Sequence, residues 1–154
     1  MPATTSEKKK INLAFQGGGA HGAFTWGVVD RLLEDERIEI EGIVGTSAGA
    51  MNAAVTAYGL VTGGAQGARR ALDSFWRAIA AAGRASPLRP SWLDKLIGNG
   101  NLEYSPGWIW LDAVSRMFSP YQLNPLRFNP LRDVLSNSVD FDALTNQDKI
   151  KLFL

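Results

Sequence analysis

Two short apolar segments of this chain each run directly into a glycine-rich turn and then into a sequence with helical spacing. The first is INLAFQ (11–16), followed by GGGAHG (17–22). The second is IEGIVG (40–45), followed by TSAGA (46–50). Strands and helices that alternate along the chain with short connections are typical of a parallel α/β sheet with right-handed crossovers. The sequence therefore predicts a parallel-sheet α/β core.

The spacing of apolar residues predicts a helix over 23–35, a second over 48–58 and a third over 68–79, with a loop at 59–64. In the first helix we expect one apolar face to be buried. Its members are Phe24, Val28, Leu32 and Leu33.

The segment 84–128 differs in composition from what precedes it, because it is rich in proline, glycine, asparagine and aromatic residues. We expect short helices over 92–97 and 107–118. The segment is either a satellite core or a lid over an acyl-chain pocket, with Trp108 and Trp110 in contact with lipid. In the helix that follows, Asn129 is predicted to be the N-cap and Pro130 the first residue.

The two ends of the chain lead to separate expectations. Residues 1–10 are polar and basic, which predicts a disordered tail before a domain over 11–154. The segment KIKLFL (149–154) is typical of the start of a strand. Because an exposed apolar edge strand favours aggregation, we expect the domain to be the first part of a longer fold.

Composition excludes several kinds of site. The chain has no cysteine, one histidine and a net charge of +1. Disulfides, thiolate chemistry and a protein-built zinc site are therefore not expected, and nothing in the charge recruits nucleic acid. No metal or cofactor is implied. The sequence shows no signal peptide or transmembrane segment, so we expect a cytoplasmic or peripheral membrane protein.

The glycine loop by itself permits two functions. Gly17, Gly19 and Gly22 match G-x-G-x-x-G, the dinucleotide fingerprint, and Glu39 or Glu41 lies about 20 residues on, where a ribose-binding acid belongs. Alternatively, its backbone N–H groups form an oxyanion hole. A phosphate P-loop fits less well, because lysine and serine or threonine are missing after the last glycine.

The second turn, GTSAG (45–49), is G-x-S-x-G between a predicted strand and a predicted helix. In that context the motif is a nucleophile elbow, with Ser47 as nucleophile and Gly45 and Gly49 permitting the tight turn. Both loops emerge at the carboxyl edge of the sheet, so neighbouring strands would bring the loop 17–19 beside Ser47. An acyl-transfer site explains both loops together, which a dinucleotide site does not.

With both motifs in this order, the chain resembles the N-terminal portion of the patatin-like phospholipases, and YQLNPLRFNPLRDVL (121–135) is similar to the bacterial members. The resemblance implies a three-layer α/β core and a lipid acyl hydrolase with a serine–aspartate dyad. By it Ser47 is the nucleophile, and Gly17, Gly18 and Gly19 form the oxyanion loop.

The family's aspartate is followed by glycine, and no aspartate of this chain is. We therefore expect a further segment or a second chain to supply the base, and residues 1–154 alone to hydrolyse little. His21 is expected to orient the glycine loop rather than to act as the base. Two alternatives remain, namely a nucleotide-binding domain and a non-catalytic fragment that assembles with a partner chain.

Overall fold

The two apolar segments form neighbouring strands of one parallel sheet. The structure is a computed structural model that describes residues 8–85 and 129–154. Its strands are β1 (Lys9–Phe15), β2 (Ile38–Gly45) and β3 (Lys151–Phe153), in the order β1-β2-β3. Both pairings are parallel, which confirms the predicted α/β class and the strand expected at the end of the chain.

Helices connect these strands. A 3-10 turn (Gly19–His21) leads into α1 (Gly22–Leu32), which returns the chain to β2. Helix α2 (Ala48–Ala85) follows β2, and α3 (Pro130–Ser138) and α4 (Phe141–Thr145) precede β3. Helix α3 begins at Pro130, as predicted. Helix α4 was not predicted; the Asp140 carboxylate accepts hydrogen bonds from two N–H groups of its first turn.

The core lies on one face of the sheet. Phe15 and Ile43 point to this face and pack in a cluster with the α2 side chains Leu72 and Phe75, which are fully buried. Strand residues that alternate with them remain accessible within the described part, since Val44 is 48 % exposed and Phe153 is 63 % exposed. The described residues therefore build the sheet and one helical layer of the α/β core.

The loop expected at 59–64 is wrong in extent, because α2 continues through most of it. Only Gly63 and Gly64 leave helical geometry, and there the helix bends. Gly59 and Gly67 lie on opposite sides of this bend: a Cβ on Gly59 would lie 2.4 Å from the Ala68 Cα, and one on Gly67 would lie 2.4 Å from the Gly59 carbonyl oxygen. Glycine at 59 thus permits close helix packing instead of ending the helix.

The expected buried face of α1 is also wrong in part. Phe24 is 78 % exposed and Val28 is 44 % exposed, whereas Val29 and Leu33 are buried. The helix is rotated so that Trp26 stacks on Trp76 of α2, with ring centroids 6.5 Å apart. The spacing of apolar residues on α1 permits either face, and the aromatic contact selects one of them.

The first two strands begin earlier than predicted. Lys9 and Lys10, assigned to the N-terminal tail, belong to β1 and pair with Ile38 and Glu39 of β2. Exposed side chains on paired backbone carry no hydrophobic signal, which explains the error. The helices expected at 92–97 and 107–118, with Trp108 and Trp110, lie outside the described residues.

Candidate functional site

Ser47 occupies a sharp turn between the end of β2 and the start of α2. Its φ angle is +53°, the one positive value at a non-glycine residue in the described part of the chain. This conformation costs roughly 1–3 kcal/mol and persists only where the surroundings enforce it. Ser47 is exposed at the carboxyl edge of the sheet. The turn therefore has the geometry of a nucleophile elbow.

Backbone contacts enforce this turn. A Cβ on Gly45 would lie 2.5 Å from the Gly49 carbonyl oxygen, and a Cβ on Gly49 would lie 2.3 Å from the Phe15 carbonyl oxygen. The Thr46 N–H also donates to the Phe15 carbonyl at 3.3 Å. Because even a methyl group cannot enter these contacts, both glycines of G-x-S-x-G are required for the elbow to pack on the end of β1.

The glycine loop after β1 lies against the elbow. A Cβ on Gly17 would be 3.1 Å from the Ser47 Cβ and 3.2 Å from the Thr46 carbonyl oxygen. Gly18 and Gly19 have φ angles of +147° and +56°, which L side chains rarely adopt. Within the described residues, the N–H groups of Gly17, Gly18 and Gly19 donate no hydrogen bond. The loop thus presents free amides beside the serine.

His21 contacts the glycine loop at the Gly18 carbonyl oxygen. Its ring Nδ1 lies 3.1 Å from the Gly18 carbonyl oxygen, which also accepts from the His21 N–H at 3.1 Å. In the described part of the chain, no hydrogen bond joins His21 to Ser47. His21 thus contacts the loop, and its role in orienting the loop stays a prediction.

The buried side-chain amide of Asn52, in the part of α2 before the bend, contacts both the start of α1 and the part of α2 after the bend. Asn52 is completely buried; its Nδ2 donates to the Gly22 carbonyl oxygen and its Oδ1 accepts from the Trp76 Nε1, each at 2.9 Å. Gly22 is packed in the same place, since a Cβ there would lie 3.0 Å from the Trp76 ring. A Cβ on Gly22 would also lie 3.1 Å from the Ala48 Cβ, so glycine here permits close packing of α1 on the residue directly after Ser47.

A cavity of about 270 Å³ opens beside Ser47. The glycine loop and the first turn of α2 form one end of it, and apolar side chains of α2 and α3 form the remainder of the described wall. None of the described lining residues carries a charge. The lining residues are Gly19, Ala20, Ser47, Ala48, Met51, Phe75, Trp76, Ile79 and Leu131.

Three of the described aspartates are paired with arginine side chains. Asp30 binds Arg69 at 2.9 Å and Asp73 binds Arg77 at 2.8 Å. Hydrogen bonds from Arg37 lower the pKa of Asp35 to about 2. In residues 8–85 and 129–154 no carboxylate hydrogen-bonds the Ser47 hydroxyl.

The dinucleotide interpretation requires an acid at the end of β2, close to the glycine loop. Glu39 and Glu41 instead lie six and four residues before Gly45, which ends the strand. At about 3.3 Å per residue, even Glu41 is roughly 13 Å from that end. Its carboxylate lies 3.7 Å from the Lys151 Nζ. The structure therefore does not bring either acid to the loop.

Sequence reasoning missed two parts of this site. The Ala48 N–H, directly after Ser47, makes none of the turn hydrogen bonds made by the N–H groups of Thr46, Gly49 and Ala50. The elbow motif itself predicts a donor at this position. The Asn52–Trp76 pair has no motif, because its two residues are 24 positions apart and meet only through the bend in α2.

Two kinds of feature are absent from the described residues. They contain no group of three or more histidine and carboxylate side chains arranged to hold a metal ion. No described helix combines the length and apolar character needed to cross a bilayer.

Comparison with known proteins identifies the family. The model of the patatin-like phospholipase family matches residues 13–151, and the chain belongs to this family. The match includes both the glycine loop and the elbow. No curated protein and no solved structure gave a significant match.

We predict that the Asn52 amide stabilises the fold around the elbow. Asn52→Leu leaves the Gly22 carbonyl and the Trp76 N–H without partners, and should lower the free energy of unfolding by about 2–4 kcal/mol. Thr56→Val is the matched control: Thr56 is equally buried on α2, but its hydroxyl has no hydrogen-bond partner among the described residues. It should leave stability unchanged or raise it by about 1 kcal/mol. Urea denaturation measures both, and equal losses would contradict the assigned role of Asn52.

Proposed function

We propose that the protein is a serine acyl hydrolase of the phospholipase A or esterase type, acting on lipid esters. Ser47 is the nucleophile, and the loop 17–19 is the oxyanion hole. The observation that carries the proposal is the contact between Gly17 and the strained Ser47 turn, because the loop that makes this contact has free backbone amides and Ser47 is exposed. Membership of the patatin-like phospholipase family supports the same reaction class.

In the proposed reaction the Ser47 Oγ attacks the carbonyl carbon of the ester while a base takes the hydroxyl proton. The carbonyl oxygen becomes an oxyanion. Collapse of this tetrahedral intermediate breaks the bond to the alcohol, which leaves with a proton and gives an acyl-serine. Water then attacks the acyl-serine, releasing the carboxylic acid and restoring the serine hydroxyl.

Backbone amides stabilise the oxyanion from two sides. The candidate donors are the N–H groups of the loop 17–19 and that of Ala48, none of which has another partner in the described part. The N-terminus of α2 adds a favourable dipole. Removing one such donor in a serine hydrolase raises the barrier by roughly 3–4 kcal/mol. Fixed amides supply this stabilisation without a metal ion.

The base is proposed to be an aspartate, as in the dyad that the family resemblance implies. Asp30, Asp35 and Asp73 are held by arginines, and Asp140 caps α4. No aspartate of the chain is followed by glycine, as the aspartate of the family's motif is. We therefore propose that a further segment or a second chain supplies the carboxylate to Ser47. Residues 1–154 alone are expected to turn over slowly.

Contact with a lipid surface is part of the proposal. Phe24 lies on α1 one turn after the glycine loop and is 78 % exposed, so an apolar side chain is available near the site. Trp108 and Trp110 are proposed to contact lipid on the segment 84–128. The protein would then work in the cytoplasm or as a peripheral membrane protein.

The test uses a small carboxylate in place of the proposed base. We expect the 154-residue chain to hydrolyse p-nitrophenyl butyrate slowly, and the rate to increase with added acetate. Ser47→Ala should remove the acetate-dependent rate, whereas His21→Ala should retain most of it, because the histidine acts only on the loop. The measurement is the release of p-nitrophenol at fixed pH and ionic strength.

Each other outcome of this test has a definite meaning. Fast hydrolysis without acetate would contradict the missing base. An acetate-dependent rate that survives Ser47→Ala would reject Ser47 as the nucleophile. No hydrolysis either with or without acetate would reject the proposed reaction. A loss with His21→Ala as severe as that with Ser47→Ala would favour a histidine base. Calorimetric binding of NAD without hydrolysis would support the nucleotide-binding alternative.

A second prediction concerns the oxyanion loop. Gly19 and Gly64 have nearly equal φ angles, +56° and +62°, and a Cβ on either would meet nothing within 4 Å. Alanine therefore strains the backbone at both positions, but only Gly19 lies at the site. Gly19→Ala should lower the acetate-dependent rate by about 10²-fold. Gly64→Ala, once urea denaturation establishes that it is folded, should lower it much less, because residue 64 lies in the bend of α2 and not in the loop. Equal rates in the two variants would show that the loop conformation does not serve the reaction.

A further inference from the structure

We infer that the cavity beside Ser47 measures the acyl chain of the substrate, and that Met51 and Ile79 set the length it accepts. The inference rests on the proposed function, because it assigns the cavity to the acyl part of the ester that Ser47 attacks. The cavity opens at Ser47 and Gly19, the positions proposed for the nucleophile and the oxyanion loop. A chain attached to the reacting carbonyl carbon can therefore enter it directly.

The polarity of the described wall selects a hydrocarbon. The one polar group of Trp76, its Nε1, already donates to Asn52, so the indole ring has no donor left for a ligand. The neighbouring wall residues Met51, Phe75 and Ile79 are apolar. A hydroxyl, phosphate or sugar placed among them would lose its hydrogen bonds to water without replacement. The cavity thus fits the acyl chain and excludes a polar alcohol group.

The size of the cavity limits the length of the chain. A methylene group takes up about as much space as a water molecule in the liquid, roughly 30 Å³, so 270 Å³ holds roughly nine carbon atoms. This is slightly below the usual range of about 300–1,000 Å³ for ligand pockets. We therefore assign one acyl chain of medium length to the cavity.

Met51 and Ile79 are the wall residues best placed to set this limit. Phe75 is fully buried in the core, and Trp76 is fixed by its hydrogen bond to Asn52 and its stacking on Trp26. Met51 and Ile79 are only partly buried, so their side chains divide between the core and the cavity. Changing their volume alters the cavity with the smallest effect on the fold.

The experiment measures the binding of linear saturated fatty acids, from butanoate to dodecanoate, to the whole 154-residue chain by calorimetry below micellar concentrations. No hydrolysis is required, because the carboxylate takes the place of the oxyanion. Affinity should rise roughly fourfold per methylene while the chain is being buried. It should level off near nine carbons. Ile79→Ala and Met51→Ala enlarge the cavity and should move the plateau to longer acids, and Ile79→Trp should move it to shorter ones.

Leu60→Ala is the matched control. Leu60 is also a partly buried apolar residue of α2, but it lines a different cavity, so its plateau should stay in place. Thermal unfolding establishes that each variant is folded. If Ile79→Ala is unfolded, the shift of the plateau is measured with Met51→Ala instead. Affinity that rises through dodecanoate without a plateau, an equal shift with Leu60→Ala, or no binding would overturn the inference.

This result is separate from that of the hydrolysis test. A plateau that depends on Ile79, together with no Ser47-dependent hydrolysis, would reject the proposed function and leave a fatty-acid site. Ser47-dependent hydrolysis with no plateau would retain the proposed function and reject the length limit.

Discussion

The packing of the Ser47 turn on the end of β1 is the contact on which the rest of the site depends. Gly49 approaches the Phe15 carbonyl so closely that no side chain fits between them. The parallel pairing of β1 with β2 brings the two strand ends together, and the absence of side chains lets the two loops touch. As a result, a serine with a positive φ angle and the free amides of the glycine loop lie at one edge of the sheet.

The hydrogen-bonded pair of Asn52 and Trp76 links the start of α1 to the wall of the cavity. Asn52 joins the Gly22 carbonyl, just after the glycine loop, to Trp76 in the part of α2 after the bend. The same hydrogen bond uses the only polar atom of the Trp76 side chain, which leaves the indole ring as an apolar wall of the cavity. A single amide thus fixes the start of α1 and leaves the Trp76 part of the wall without a free donor.

The sequence predicts those parts of the structure in which local pattern and tertiary packing agree. The two strands and the elbow follow from apolar runs interrupted by glycine, because such turns require small residues. Gly59 shows the limit of this reasoning: the sequence places it at the start of a loop, but it permits a helix crossing with partners eight and nine residues away. Phe24 shows another limit, since amphipathic spacing cannot tell which of two apolar faces has a partner.

Asn52 lies beyond sequence reasoning for a different reason. A lone asparagine in a small-residue helix carries no pattern, and its value depends on a bend at Gly63 and Gly64 that brings Trp76 within 2.9 Å. The positions of Ser47 and the glycine loop, by contrast, are specified by two motifs and by the direction of a parallel sheet. The sequence therefore predicts where Ser47 and the glycine loop lie. It does not predict the buried Asn52 amide behind them.

The most direct test of the central claim is a crystal structure of the chain with octylboronic acid, which forms a tetrahedral adduct on a reactive serine. The account predicts a bond from boron to the Ser47 Oγ. One boronate oxygen should lie about 2.7–3.1 Å from N–H groups of the glycine loop and of Ala48. The octyl chain should lie in the cavity with Met51 and Ile79. An adduct elsewhere, or a boronate oxygen directed away from the glycine loop, would contradict the account.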